Sequence, residues 1–530
     1  MVNGSLSLRK DYWETFEITE KDIEFLNNHL FELETPMTSR ELSRALITER
    51  IRIEKQTLQN QQHELGKIYF PKDHYQVGDT LLFPAFDWEK AKVVSIHPGK
   101  NPEVAAFEVL DVVMERGNHR QFAAGLANHN LNQPLEVKID DILLDLDEVM
   151  KNYGDRIEKK VSAVLKTEPD LVSIAWHWFP RALLVDVNIG HLNLTEAVLD
   201  MSNGGPLPTR SLLEQIDMPT DVNLKLREFS LNYAIQEDQR FDEVGTAGEV
   251  VWFLRRLEPE PVQHTPAYLR YQPTAYDRTV LTPPMLALER QLDDELDSSP
   301  EETSLINEAV VTLTYPHWRA GTLPLTQRVK QLFPTAYESP RIQFILVDGD
   351  TGTRYPGWVV RTEHYIYGLR DWYETQGLIP GSFVHIKPGK KPGEVQIFTQ
   401  KRRSGREWIR TILVGADGGI VFAILKQMVT AAFDERMAIA VPDVEALDAL
   451  WEKGSLQRMP IDQVITKVMR ELAKLNPQGH VHAQELYAAV NVIRRCPPGL
   501  ILSVLSSHSV FNHVGDLYFR IESESNLEEV

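Results

Sequence analysis

The sequence predicts an α+β, multidomain chain: repeated modules of three helices plus a hairpin, and two small β-barrel domains. Three observations predict it. Short runs rich in β-branched and aromatic residues recur between Val310 and Phe398, separated by Asp-Gly and Pro-Gly turns. Several other segments share one order, in which a helix ends, apolar residues follow, and a small residue leads into a strand. Charge is uneven: the net is −20, yet residues 1–302 hold 31 Lys/Arg against 52 Asp/Glu and residues 303–530 hold 25 against 24. At 530 residues the chain has room for several cores.

Taken in order, Glu20 to Leu33 has apolar residues at helical spacing, with Ile23, Phe25, Leu26 and Leu30 recurring. Thr38-Ser39-Arg40-Glu41 offers a cap for a long helix running to about Leu65, and Lys67 to Phe70 reads as a strand. Residues 18–72 are therefore read as a first module. Thr80 to Phe83, Ala91 to Ile96, Phe107 to Val113 and Arg120 to Ala124 read as strands of a second block, residues 73–130, with a basic turn at Pro98-Gly99-Lys100-Asn101-Pro102. In residues 140–186, Asp170 to Ala175 leads into Trp178 to Val185. In 190–257, helices at Leu194 to Met201, Arg210 to Ile216 and Asn223 to Gln236 lead through Arg240-Phe241-Asp242-Glu243-Val244-Gly245 into Val250 to Leu254. In 460–522, three helices lead through Val510-Phe511-Asn512-His513-Val514-Gly515 into Leu517 to Ile521. LALERQLDDELDSSPEETS, residues 286–304, reads as an acidic linker. Residues 411–455 read as a strand and helix extension, with helix over Leu425 to Ala432 and Val444 to Lys453.

The four segments with the shared order (18–72, 140–186, 190–257 and 460–522) resemble the winged-helix modules of bacterial transcription and chromatin-associated proteins. Block 73–130 resembles a small KOW- or Tudor-type barrel. In 305–410 the run Asp348 to Val360, the aromatic stretch Gly368 to Tyr373 and "L-x-P-G-x-x-V-x-I" at Leu378 to Ile386 are similar to the DNA-binding pseudobarrel of plant transcription factors and some restriction enzymes. That resemblance covers about a sixth of the chain. It implies two arms entering the major groove, here holding His317, Trp318 and Arg319, and Arg354 and Arg361.

Local charge points the same way. Val311 to Thr411 holds fifteen Lys/Arg against eight Asp/Glu, with a dense run at Lys387, Lys390, Lys391, Lys401, Arg402, Arg403 and Arg406. Cations at phosphate distance release counterions and give salt-sensitive affinity. The expected partner is DNA, with RNA as an alternative, and the acidic front half is assigned to a protein partner. The third helices of 190–257 and 460–522 lack a basic face, so those modules are read as structural or protein-binding.

The sequence holds no Walker loop, no G-x-G-x-x-G after a strand, no H-E-x-x-H and no G-x-S-x-G. No enzyme activity and no cofactor are therefore expected. A single cysteine, Cys496, leaves no disulfide framework and no cysteine-based zinc site. His480 and His482 lack further ligands nearby, and Asp348-Gly349-Asp350 is read as a turn rather than a calcium loop. No signal peptide or membrane span is read, and a cytoplasmic location is expected. Trp176, Trp178, Trp252, Trp318, Trp358, Trp372 and Trp408 are candidates for stacking on bases or for core packing. Two other readings stay open: a protein-interaction scaffold without DNA contact, and a restriction- or defence-type enzyme with an unrecognised site.

Overall fold

The computed structural model describes residues 9–522 apart from 10, 65–66, 84–85, 87–88, 102–105, 116, 133–141, 298–304, 337–338 and 416–417. Leu65, Pro102 and residues 140–141, 298–304 and 416–417, all within segments used in the sequence reading, lie outside the described residues. The fold is mixed α+β and divides into two compact units, Met1–Leu184 and Val185–Val530.

The first unit corrects the domain reading. Helix Glu20–Leu33 is capped by Thr19 and Asp22, and helix Leu146–Leu165 by Asp145, which accepts from the amides of Asp147 and Glu148. Strand Met37–Thr38 and helix Ser39–Glu64 lie between them in sequence. Met37 pairs with Trp178, so the first strand joins the hairpin Leu171–Ile174 and His177–Pro180 in one three-stranded sheet. Leu26, Leu30, Leu42, Leu46, Ile157, Val161 and Trp178 share one buried core, and Trp178 Nε1 donates to Ser39 Oγ at 2.9 Å. Segments 18–72 and 140–186 are thus halves of a single module, because each alone would leave its apolar face uncovered.

The block between them is an insertion. Its five-stranded sheet has the order Lys67–Ile68, Thr80–Phe83, Glu89–Pro98, Glu108–Met114, His119–Ala124. It has its own core, including Leu81, Phe83, Val93, Leu110 and Val112. Tyr69 donates its hydroxyl to the Ala123 carbonyl, tying the first edge to the last. Lys67–Ile68, read above as part of the first module, belongs to this insert.

In the second unit the same order of elements recurs twice. The middle copy has helices Ile189–Met201, Thr209–Leu213 and Leu224–Gln236, and a sheet of Phe241–Glu243, Val251–Leu254 and Leu207–Pro208. The C-terminal copy has helices Ile461–Ala473, Ala483–Ile493 and Pro498–Ser507, and a sheet of Val481–His482, Tyr518–Ile521 and Phe511–Gly515. Trp178, Trp252 and Phe519 hold the same place, each pairing with the strand before the second helix. In the first and last copies the hairpin turns on two residues with positive φ, Ala175-Trp176 and Asp516-Leu517. Each turn accepts the amide that starts the second helix, Ser39 to Trp176 at 3.2 Å and Ala483 to Leu517 at 2.9 Å.

Between these copies lies a seven-stranded, nearly closed barrel-like sheet. Its order is Ala309–Thr312, Phe383–Pro388, Glu394–Phe398, Arg341–Asp348, Arg354–Val360, Tyr365–Tyr367, Thr322–Pro324. Alternating side chains of Ile342, Phe344 and Leu346 point inward with Val384, Ile386, Val395 and Ile397. Asp348 pins the turn by accepting from the amides of Asp350 and Thr351. It also accepts from Trp372 Nε1 at 2.8 Å, fixing helix Arg370–Gln376 under the barrel. Burial pushes the Asp348 carboxyl up, but these donors outweigh it and hold it below its ordinary range. Gly368 sits at φ +115°, and a Cβ there would lie 2.3 Å from the Pro356 carbonyl oxygen. Gly368→Ala is expected to cost about 2 kcal/mol or more, read as a lowered midpoint in urea unfolding.

The barrel is followed by a long two-stranded ribbon, Lys401–Val414 paired with Ile420–Ala431. This corrects two readings. The boundary at 410/411 cuts through a continuous strand, and Leu425 to Ala432, read as helical, is mostly strand. Cross-strand pairing and the β-branched Ile420, Val421, Ile424, Val429 and Thr430 override the helical spacing. Ile412, Ile420 and Phe422 at one end of the ribbon pack into the core of the C-terminal module.

The acidic segment is not a linker over its described part. Helix Pro283–Leu292 ends at Asp293 in the left-handed region, and Asp294 and Glu295 turn inward. Asp293 meets Arg328, Asp294 meets Arg495, and Glu295 meets both Arg495 and His317. Charge runs look solvated in sequence, but buried partners on distant elements reverse that here.

Candidate nucleic-acid interface

The predicted basic and aromatic residues separate into three groups. The first is internal. Thr314 begins helix Tyr315–Ala320, with Pro316 in its first turn and Gly321 ending it at φ +68°. That turn folds His317 inward until only 1% of it is exposed. Its Nδ1 faces Thr322 Oγ1 at 2.9 Å and its Nε2 faces Glu295 Oε1 at 3.1 Å. Trp318 Nε1 donates to the Leu378 carbonyl, and Arg319 clamps Asp448 while lying over the Tyr268 ring. The expected arm at 317–319 is thus a structural joint, because its three side chains are already satisfied within the fold. Arg361 similarly donates to the Ser339 carbonyl.

A second group is paired at the surface. Arg354 meets Glu394 at 2.7 Å, Lys387 meets Glu308 at 2.8 Å, Lys401 meets Asp350 at 3.1 Å, and Arg402 meets Glu407 at 3.0 Å. Exposed pairs of this kind hold little energy and exchange readily with another anion.

The third group is unpaired. Among the described residues Lys390, Lys391, Arg403 and Arg406 are exposed and carry no ion pair. The sequence run does not form one patch. Lys390 and Lys391 sit on the hairpin before strand Glu394–Phe398, whereas Lys401 to Arg406 begin beyond its far end. A five-residue strand separates two places by about 17 Å.

The ribbon supplies what the run alone did not show. Residues 402–404 fall in a register shift between Lys401 and Gly405, which takes Arg402 and Arg403 out of the ladder. Beyond it, Arg406 stands opposite Met428 and Trp408 opposite Lys426. The Lys426 ammonium lies 5.0 Å from the Trp408 ring centroid. Trp408 is 66% exposed, beside exposed Met428 and Ile424. The third strand, Ile439–Ala440, pairs only with Arg410 and Thr411, so the ribbon around Trp408 is two-stranded.

Among the other candidate tryptophans, Trp178, Trp252, Trp358 and Trp372 are core, Trp318 is half-buried, and Trp176 is exposed at its hairpin tip. Lys426 had no sequence signal, since its role depends on a partner 18 residues away across a hairpin.

His482 caps helix Ala483–Ile493 through Nδ1, accepting from the Gln484 amide, and burial lowers its pKa to about 4. Among the described residues no three His, Cys, Asp or Glu side chains are grouped to hold a metal ion. Cys496 is buried, and burial raises its thiol to about 12. No single described helix is long and apolar enough to cross a membrane. No protein-family model, curated protein or solved structure matches this chain.

Proposed function

We propose that this is a non-enzymatic nucleic-acid-binding protein whose contact surface is the barrel hairpin and the ribbon that follows it. The reading rests on one observation: Lys390, Lys391, Arg403 and Arg406 stay exposed and without an ion pair among the described residues, in a chain of net charge −20. An acidic protein that leaves such cations open has local positive potential to offer a polyanion. The three repeated modules are read as winged helices, and the barrel-like sheet as a DNA-binding pseudobarrel. Helices Leu224–Gln236 and Pro498–Ser507 are buried on most sides, which favours a scaffolding role for those two modules. Helix Leu146–Leu165 keeps Lys151, Asn152, Arg156 and Lys159 at its surface and offers a further contact. The acidic remainder is assigned to a protein partner.

The test is a salt titration of the full chain on a random-sequence 30-mer, single-stranded and duplex, against the variant Arg402→Glu/Arg403→Glu/Arg406→Glu. Wild type is expected to bind with an affinity falling steeply with salt. The variant should lose more than tenfold at low salt, with a slope shallower by about 3 if each arginine meets one phosphate. Equal binding by both proteins sinks the assignment. No binding by either favours the scaffold reading, and metal-dependent cutting of the oligonucleotide favours the enzyme reading.

A further inference from the structure

We infer that the ribbon takes single-stranded nucleic acid, with a base stacked on Trp408. This rests on the nucleic-acid reading above and names the form of ligand that the surface fits.

Trp408 and Lys426 are directly opposed on one face of the ribbon, with Arg406 opposite Met428 one pair along. An indole that is 66% exposed costs free energy to leave in water, and here no core packs over its open side. The ammonium of Lys426 covers one ring face at 5.0 Å. The ring nonetheless stays 66% exposed, with positive charge beside it. Arg406 and the displaced Arg403 extend that charge along the strand, and the nearby Glu407 is occupied by Arg402. A flat aromatic surface flanked by cations matches the two parts of a single strand, its base faces and its phosphates. A duplex presents phosphates and base edges but keeps its base faces stacked, so it would use the arginines and leave Trp408 and Met428 in water. Charge complementarity favours a polyanion over an uncharged apolar partner.

The experiment measures fluorescence anisotropy of labelled (dT)20 and of a 20-bp duplex, using the full chain. Trp408→Ala, Trp408→Phe and the triple arginine reversal are compared with wild type. Trp408 is exposed, so Trp408→Ala should keep the wild-type melting curve. It is expected to weaken (dT)20 binding about tenfold or more while changing duplex binding less than twofold, and Trp408→Phe should restore most of the loss. If Trp408→Ala binds (dT)20 like wild type while the arginine reversal abolishes binding, this inference falls and the broader reading stands. If neither oligonucleotide binds wild type, both fall. An exposed tryptophan beside cations also fits an anionic membrane surface. If wild type binds vesicles containing 30% phosphatidylserine more tightly than (dT)20, and Trp408→Ala removes that binding, the inference is overturned.

Discussion

Arg495→Met in the intact chain is expected to lower stability by about 3–5 kcal/mol, the range seen when one partner of a buried ion pair is removed. The guanidinium is 1% exposed at its side chain, as is Asp294. It donates to Asp294 at 2.5 and 2.9 Å, to Glu295 at 2.7 Å and to Asn491 at 3.0 Å. Tyr487 adds its hydroxyl to Asp294 at 2.5 Å, and His317 Nε2 meets the same Glu295 Oε1 that Arg495 does, at 3.1 Å. One cation therefore joins the acidic segment to the C-terminal module, and Glu295 extends the link to His317 on helix Tyr315–Ala320. Burial alone would push the Glu295 carboxyl up, but Arg495 and His317 hold it far below its ordinary range. Without Arg495 two carboxylates remain buried with most of their compensation gone. The midpoint of thermal unfolding should fall by on the order of 10 °C at neutral pH. The deficit should shrink toward pH 4, where the buried Glu295 carboxyl, no longer held down by Arg495, can take a proton. Adding Asp294→Asn and Glu295→Gln to Arg495→Met should recover part of the loss, because the uncompensated charge goes with them. A single variant melting within 2 °C of wild type would show that the network carries little of the fold's stability.

That network also shows where sequence reading runs short. Strand alternation in Ile342, Phe344 and Leu346 is visible because the pattern repeats every second residue and one face is buried. The Asp348 turn is visible because Asp and Gly suit its backbone. Contiguity misleads in the first unit: Met37 pairs with Trp178 across an inserted sheet, and a linear reading has no reason to join them. A signal for the repeat did exist. His177-Trp178-Phe179-Pro180-Arg181-Ala182-Leu183 parallels Val251-Trp252-Phe253-Leu254-Arg255-Arg256-Leu257, and both strands run into a short 3₁₀ turn. At the candidate site the arginines of 402–406 were legible as charge, and the exposure of Trp408 was not. An aromatic residue in a strand is usually core, whereas this one stands 66% exposed on the ribbon. His317, Trp318 and Arg319 illustrate the converse, since their types suit a groove but the tight helical turn buries His317, and Trp318 and Arg319 are bonded within the fold.

Stability is expected to fall by several kcal/mol between about pH 5 and pH 9 through two buried carboxyl groups, Asp297 and Glu258. Neither oxygen of Asp297 has a hydrogen-bond partner among the described residues. Burial, then the neighbouring Asp294 and Glu289, push it up to about 9 against the pull of Arg495 and Arg278. Glu258 is raised to about 8 by burial and by Asp242, with Arg341 opposing. Asp242 and Glu258 both reach that one guanidinium, at 2.6 and 3.2 Å, and Arg255 adds a more distant cation 3.8 Å from Asp242. The unfolded chain releases these protons near the ordinary values of about 3.9 and 4.3. The folded chain keeps them until pH 8 to 9. Across the interval unfolding releases protons, and each group lowers stability by up to about 1.4 kcal/mol per pH unit. Above pH 9 the dependence on these groups levels off. Asp297→Asn and Glu258→Gln keep the neutral form at every pH. Each should therefore match wild type near pH 4.5 and exceed it at pH 8.5, with the double variant flattest of all. Chemical denaturation at those two pH values decides it. Parallel curves for wild type and the double variant would mean that neither group holds its proton in the fold, and that the alkaline loss arises elsewhere.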